Sequence, residues 1–234
     1  METSAETVLT RQEASDAVGE LGWRYLLGAL RTSVAVASLT RAAEVAAVAV
    51  AACGGDGDQH LFVDLRPTHV TLTLQTLPRA TVTAHDVTLA ARISTAVSDM
   101  GLRTGPGIEP PASPRSVQIL EFAVDAMDIA AVRPFWRAVL GYVAEPGADG
   151  PQDPLVDPLG QGPALWFQQM DHPRPQRNRI HFDVCVPHDE VAHRIEATLA
   201  AGGRLVYEAE APAFRVLADP EGNEVCVTTW QGRD

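Results

Sequence analysis

The chain contains no lysine; all 18 of its basic residues are arginine. Schiff-base chemistry, a lysine general base and a Walker-type phosphate loop each need the ε-amine, so all three are excluded. Basic residues are also outnumbered, 18 against 30 acids, for a net charge of −12. Nucleic-acid binding relies on a basic surface that releases counterions, and this balance argues against it. Only three cysteines occur (Cys53, Cys185 and Cys226), far apart and without a CxxC pair. They form neither a disulfide framework nor a structural zinc motif, and small buried side chains are expected. No apolar run approaches the roughly 18 to 20 residues of a membrane span. No basic segment followed by an apolar core opens the chain, so no membrane partner and a cytoplasmic protein are expected.

What the chain does have is an internal repeat. Ile119 to Asp128 reads ILEFAVDAMD, followed by a helical run and then Leu140-Gly141-Tyr142. About sixty residues later, Ile180 to Asp189 reads IHFDVCVPHD, again followed by a helical run and then Gly202-Gly203-Arg204. Aligning Glu121 with His181 places Phe122 on Phe182 and Val124 on Val184. Each copy reads as a strand, a helix and a set of short strands. Two such modules can pair their sheets around one cleft, with an acid and an imidazole opening the two first strands.

Residues 101–116 (GLRTGPGIEPPASPRS) hold three Gly and four Pro. That spacing is incompatible with a helix or a central strand. Residues 103–116 therefore read as a linker between a domain at 1–102 and another at 117–234. In the first domain a polar helical stretch spans about 5–21 and a strand pair lies within 23–37 around 28–31. A helix capped by Ser38 follows over 39–53, then an acidic glycine turn at 54–58. Alternation at Val70, Leu72 and Leu74 marks a strand with one buried face. A last helix runs over 83–100, with Thr83 and Asp86 spaced as a capping box. The order predicts an antiparallel sheet with helices on one face, an α+β fold.

This order, and above all Thr73 to Ala90 (TLQTLPRATVTAHDVTLA), resembles the pterin-4a-carbinolamine dehydratase (4a-hydroxytetrahydrobiopterin dehydratase) family, whose sheets assemble into homo-oligomers. The resemblance implies a site at His60 and Asp86, but an eroded one. The family's His-His-Pro run is Gln59-His60-Leu61 here, and Leu77 stands where a second family histidine follows the strand threonine. Dehydrating a carbinolamine requires a base for a ring N–H and an acid for the departing hydroxide. One imidazole serves that poorly, and the spacing of Asp86 also reads as a helix cap. His69 and His85 are assigned to strand and helix surface, without a role.

In the second domain, Leu140-Gly141-Tyr142, the strand at 179–184 (RIHFDV) and the turn into 219–227 (DPEGNEVCV) resemble the glyoxalase-like, or vicinal oxygen chelate, superfamily. The resemblance implies paired βαβββ modules forming an open half-barrel cleft. Metal-dependent members draw cleft ligands from the first and last strands of each module. By position these are Glu121, His181 and Cys226, with ligand contacts near Trp166 and Gln168. The family's usual residues at the first and third of these are His and Glu, so one divalent metal ion is implied with two ligands changed. His181 also reads as a hydrogen-bonded core histidine. Glu121, if inward-facing, needs His181 or an arginine as partner. Trp136, Trp166, Phe167 and Phe182 read as core. Asp171, His172, Arg174, Arg177 and Arg179 read as a solvated polar loop.

Two function classes follow. One is a small-molecule enzyme, a lyase, isomerase or dioxygenase working through Glu121 and His181 beside an eroded dehydratase-like domain, with an active dehydratase through His60 and Asp86 as the alternative. The other is a non-catalytic ligand-binding or drug-sequestering protein.

Overall fold

The computed structural model describes residues 7–108, 115–174 and 180–232. The chain divides into two units, Met1–Ile119 and Leu120–Asp234. In the first, a capping box between Thr10 and Glu13 starts helix α1 (Arg11–Val18). Strands β1 (Arg24–Leu26) and β2 (Ala29–Ala35) then form a hairpin. Its turn falls on Leu27 and Gly28, both with positive φ, rather than on 28–31. Paired positive φ values match the twist of the flanking strands, and glycine removes the steric cost at one of them. Ser38 caps α2 (Leu39–Cys53) through Arg41 N. The acidic glycine segment is helical rather than a turn. A 3-10 turn at Gly54–Asp56 runs directly into α3 (Gly57–His60). Strands β3 (Leu61–Leu65) and β4 (His69–Leu74) follow, then α4 (Ala84–Asp99) behind its Thr83/Asp86 capping box.

The sheet order is β1-β2-β4-β3, antiparallel throughout. Register pairs Leu30 with Leu74, Thr32 with Leu72 and Val34 with Val70, so one face of the sheet is continuous and apolar. Against it pack Ala42, Val45 and Ala49 of α2 and Leu89, Ile93 and Val97 of α4, all fully buried. Each buried Leu or Ile contributes about 1.5–3 kcal/mol relative to exposure. The described residues of the segment expected as linker include short strands. β5 (Thr104–Gly105) pairs with β2, and β6 (Gly107–Ile108) pairs with β7 (Arg115–Ser116). Proline is tolerated there because these are short peripheral strands, not central ones.

The second unit bears out the repeat in three dimensions. Its first half is β8 (Glu121–Ala126), α5 (Ile129–Leu140), β9 (Val143–Ala144), β10 (Leu155–Val156) and β11 (Ala164–Gln169). Its second half is β12 (Phe182–Cys185), α6 (Val191–Ala200), β13 (Arg204–Tyr207), β14 (Phe214–Ala218) and β15 (Glu224–Thr228). The sheets run β8-β11-β10-β9 and β12-β15-β14-β13, and in each the first strand is parallel to the last. Asp128 caps α5 through Ala131 N. Both helices end at glycines of positive φ, Gly141 at 70° and Gly202 at 94°, where a side chain would be strained. The aligned Phe122 and Phe182 meet edge to face, centroids 4.9 Å apart. Phe135, Trp136, Leu155, Leu217 and Val225 fill the common core. The turn at 219–224 is organised by fully buried Asp219. Its carboxylate accepts from Glu221 N, Asn223 N, Asn223 Nδ2 and, at 3.0 Å, the indole Nε1 of Trp136.

Candidate functional site

The first unit gathers its titratable side chains where three segments meet: the end of α3, the end of β4 and the first turn of α4. His60 is the last residue of α3, and its carbonyl accepts from Gln75 N just past β4. Asp86 is the third residue of α4 and is completely buried. Its two oxygens divide the work. Oδ2 accepts from Thr83 N at 2.7 Å, Thr83 Oγ1 at 3.0 Å and Thr76 Oγ1 at 2.8 Å. Oδ1 is left for His60 Nδ1 at 2.7 Å. Asp86 is therefore both helix cap and imidazole partner, and these two readings of the sequence do not compete. A buried carboxylate is costly unless its lone pairs are met, and here four donors meet them.

A carboxylate only accepts, so the His60 proton sits on Nδ1 and the Nε2 lone pair is free to take another. The His60 side chain is 13% exposed, enough for access with little water around it. Beside it stands a second imidazole. His85, one residue before Asp86, places its ring centroid 4.9 Å from that of His60 at 69°. Its Nε2 donates to Asp56 Oδ2 at 3.0 Å, which leaves Nδ1 as its acceptor. His85, expected on the helix surface, is partly buried on α4 and packs against His60. The first turn of α4 carries one residue of each histidine–carboxylate couple. The signal available in the sequence was the adjacency of His85 to Asp86 together with the acid Asp56, which the 3-10 turn ahead of α3 brings within reach. Cys53 nearby is buried, and burial, then the charge of Asp56, pushes its thiol pKa up, as suits an inert packed cysteine.

In the second unit, parallel register puts Glu121, Ala123 and Asp125 of β8 on the same face as Ala164, Trp166 and Gln168 of β11. Glu121 and Gln168 are exposed there, and Trp166 is 37% exposed, so Trp166 is not core; Trp136 and Phe167 are buried as expected and Phe182 is partly buried. An exposed Glu121 needs no buried partner. Its nearest recorded influence is on Glu145, whose carboxyl is pushed up by burial first, then by Glu121 and Asp153. Asp125 pairs with Arg174 at 3.2 Å; Arg177 and Arg179 lie outside the described residues.

His181, Asp183 and Cys226 form the group that comes together. Their ligating atoms all lie within 4.8 Å of one another. Cys226 Sγ is 3.6 Å from His181 Nδ1, and Asp183 Oδ1 is 3.8 Å from the same nitrogen. Register explains the set. Asp183 pairs with Cys226 across β12 and β15, and His181, two residues earlier, shares their face. The His181 side chain is 62% exposed, so it is not a core histidine. Glu121 is not in this group; Asp183 is, and the His-x-Asp spacing on one strand was the overlooked signal. Cys226 is buried at the base of the group, whereas Cys185 is exposed, contrary to expectation. Imidazole, carboxylate and thiolate are all zinc-type donors, and three protein ligands plus one open position is the pattern of catalytic sites. The set fits one divalent ion.

Two βαβββ modules with first and last strands parallel, and a cluster of donors on the first and last strands of the second, define the class of the second unit. Residues 121–228 match the family of the glyoxalase-like domain. Solved structures similar to it include a glyoxalase/bleomycin resistance protein from Albidiferax ferrireducens T118 (19% identity, 47% of this chain and 95% of that one, TM-score 0.37). A glyoxalase-related enzyme from Fulvimarina pelagi is comparable (20% identity, 48% and 87%, TM-score 0.38). A transcriptional coactivator/pterin dehydratase from Brucella melitensis is 24% identical over 38% of this chain and 98% of its own, with a TM-score of 0.35. No curated protein matches the chain. Among the described residues no helix is long and apolar enough to cross a membrane.

Proposed function

We propose that the first unit is an acid–base lyase of the carbinolamine dehydratase type. The observation that carries the reading is the pair of facing histidine–carboxylate couples, His60–Asp86 and His85–Asp56. Elimination of water from a carbinolamine needs a proton removed from nitrogen and another delivered to the leaving oxygen. One neutral imidazole takes the N–H proton as the C=N bond forms. The other, protonated, gives its proton to the departing hydroxide as the C–O bond breaks, and water leaves. The two rings then differ by one transferred proton, which solvent exchange resets. A positioned acid or base contributes about 10²–10⁴-fold. On this reading His85, entering from the helix side, takes over from the imidazole that Leu77 does not supply.

The test is dehydration of a pterin carbinolamine by the full chain, with His60→Ala and His85→Ala beside it. Turnover above the buffer rate that falls in both variants supports the reading. A wild-type rate equal to buffer removes it. Homo-oligomerisation belongs to the same proposal: β3 is an edge strand with Phe62 and Leu65 exposed, and sedimentation should find a multiple of the 25.0 kDa chain.

A second reading concerns the glyoxalase-like domain, and the His181/Asp183/Cys226 group favours it. These residues would hold a divalent ion, which when bound supplies Lewis-acid polarisation of a substrate oxygen. Trp166 and Gln168 offer a stacking surface and an amide on the exposed face of the first module. Metal content of protein purified without chelator checks it. One equivalent lost in Asp183→Ala and retained in Glu121→Ala supports the assignment. Ligand binding that needs no metal would instead favour the sequestering role.

A further inference from the structure

Helices α5 and α6 enclose a groove of about 500 Å³. We infer that this groove is an anion-binding site for a small phosphorylated or dicarboxylate molecule. Three guanidinium groups line it, Arg133 and Arg137 from α5 and Arg194 from α6, together with His193 and a single carboxylate, Glu190. Three positive charges line the groove against one lining carboxylate, and with Asp149 at 4.0 Å from Arg133 counted as well about one positive charge remains in excess, on a chain whose net charge is −12. Glu190 lies 3.9 Å from His193 and, among the described residues, forms no ion pair with the arginines.

Each arginine is differently committed. Arg194 Nη1 donates to Val139 O at 3.0 Å, serving the open carbonyls at the end of α5. Arg137, in the last turn of α5, is exposed, and its guanidinium has no hydrogen bond or ion pair among the described residues. Arg133 is the most informative. Only 8% exposed, it spends Nε on Asp153 O at 2.8 Å, while its buried Nη2 has no hydrogen-bond partner. The nearest carboxylate, Asp149, is 4.0 Å away and 80% exposed. A buried cation is costly unless compensated, and an anion in the groove would offset the Arg133 charge without reaching the enclosed Nη2 itself. The helix dipole accounts for one cation at the end of α5, not for three.

Guanidinium forks favour carboxylate and phosphate oxygens, and the volume is that of a metabolite site. The groove shares no residue with His181, Asp183 or Cys226, so the site is separate from either proposed catalytic centre. Titration calorimetry of the full chain with pyrophosphate and with succinate, at constant ionic strength, tests the inference and separates the two ligand chemistries. Saturable binding of at least one is expected, weakened by about 10–100-fold in Arg137→Gln and tightened in Glu190→Gln. Arg137 is exposed, so its variant should melt with the wild type. Absence of saturable heat with both ligands, or equal affinity in Arg137→Gln, overturns the proposal.

Discussion

Replacing Asp86 by asparagine separates the two jobs that this carboxylate performs. The amide oxygen can take the place of Oδ2 and keep accepting from Thr83 N, Thr83 Oγ1 and Thr76 Oγ1. The amide nitrogen then falls where Oδ1 was, 2.7 Å from His60 Nδ1. Both are now donors, and the imidazole can satisfy the contact only by moving its proton to Nε2. The lone pair that would receive the substrate proton is lost, while the helix cap survives. Loss of a positioned base costs about 10²–10⁴ in rate, equivalent to roughly 3–5 kcal/mol of barrier. The weakened cap costs about 1 kcal/mol of stability, a few degrees in melting temperature. Two assays separate these effects. Imidazole ¹⁵N shifts should report an Nδ1–H tautomer for His60 in the wild type and Nε2–H in Asp86→Asn, whatever the substrate. Steady-state dehydration should fall through kcat. An unchanged tautomer, or a rate that falls no more than the folded fraction does, would refute the argument and leave Asp86 as a helix cap alone.

Asp219→Ala should cost about 2–4 kcal/mol, since it strands the buried Trp136 Nε1 and three further donors; chemical denaturation measures it. Gly203→Ala should destabilise by about 1–3 kcal/mol, because a Cβ there would stand 2.6 Å from the ring of Phe135; a Tm unchanged from wild type would contradict the packing. The carboxyl of Glu145 is held above its usual range by burial, then by Glu121 and Asp153. In the fold it keeps its proton after the unfolded chain has released its own. Its contribution is therefore full below the unfolded pKa and is lost as pH rises towards the raised folded value. Glu145→Gln should flatten that decline in a pH series of melts.

Much of this was legible in the sequence because it was local or periodic. Ser38, Asp128 and the Thr83/Asp86 pair declared their helices, since caps act within three residues. The 60-residue repeat declared two modules, and the strand order of both sheets agrees with it. What the sequence hid was contact across elements. His85 reads as helix surface on any helical wheel, and the 3-10 turn with α3, expected as an acidic glycine turn, carries Asp56 and His60 up to it. Asp183 was passed over because matching to a family pattern directed attention to Glu121, while strand register, not pattern, decides which side chains share a face. Glu121 was expected to need a partner because its neighbours are apolar. Alternation in β8 sends those neighbours to the core and Glu121 to the exposed side.

Proton chemistry in this chain falls to imidazole almost by elimination. The chain has no lysine, and the Cys53 thiol beside the first site is pushed up by burial, which leaves imidazole as the side chain suited to directed proton transfer there. A histidine becomes a directed base or acid when one ring nitrogen is fixed and the other left open. His60 and His85 meet that condition through Asp86 and Asp56, and they do so next to each other. His181 differs: both Asp183 and Cys226 approach the same nitrogen, Nδ1, at distances longer than a strong hydrogen bond. Three donors drawn round one point without closing on one another suit a shared ion better than a proton relay. On the proposed reading, acid–base work falls to the first unit and ligation to the second. His60→Gln should accordingly abolish dehydration and leave metal uptake intact, and His181→Gln should do the reverse. If either variant lost both properties while remaining folded, the two sites would not be independent and this division of labour would fail.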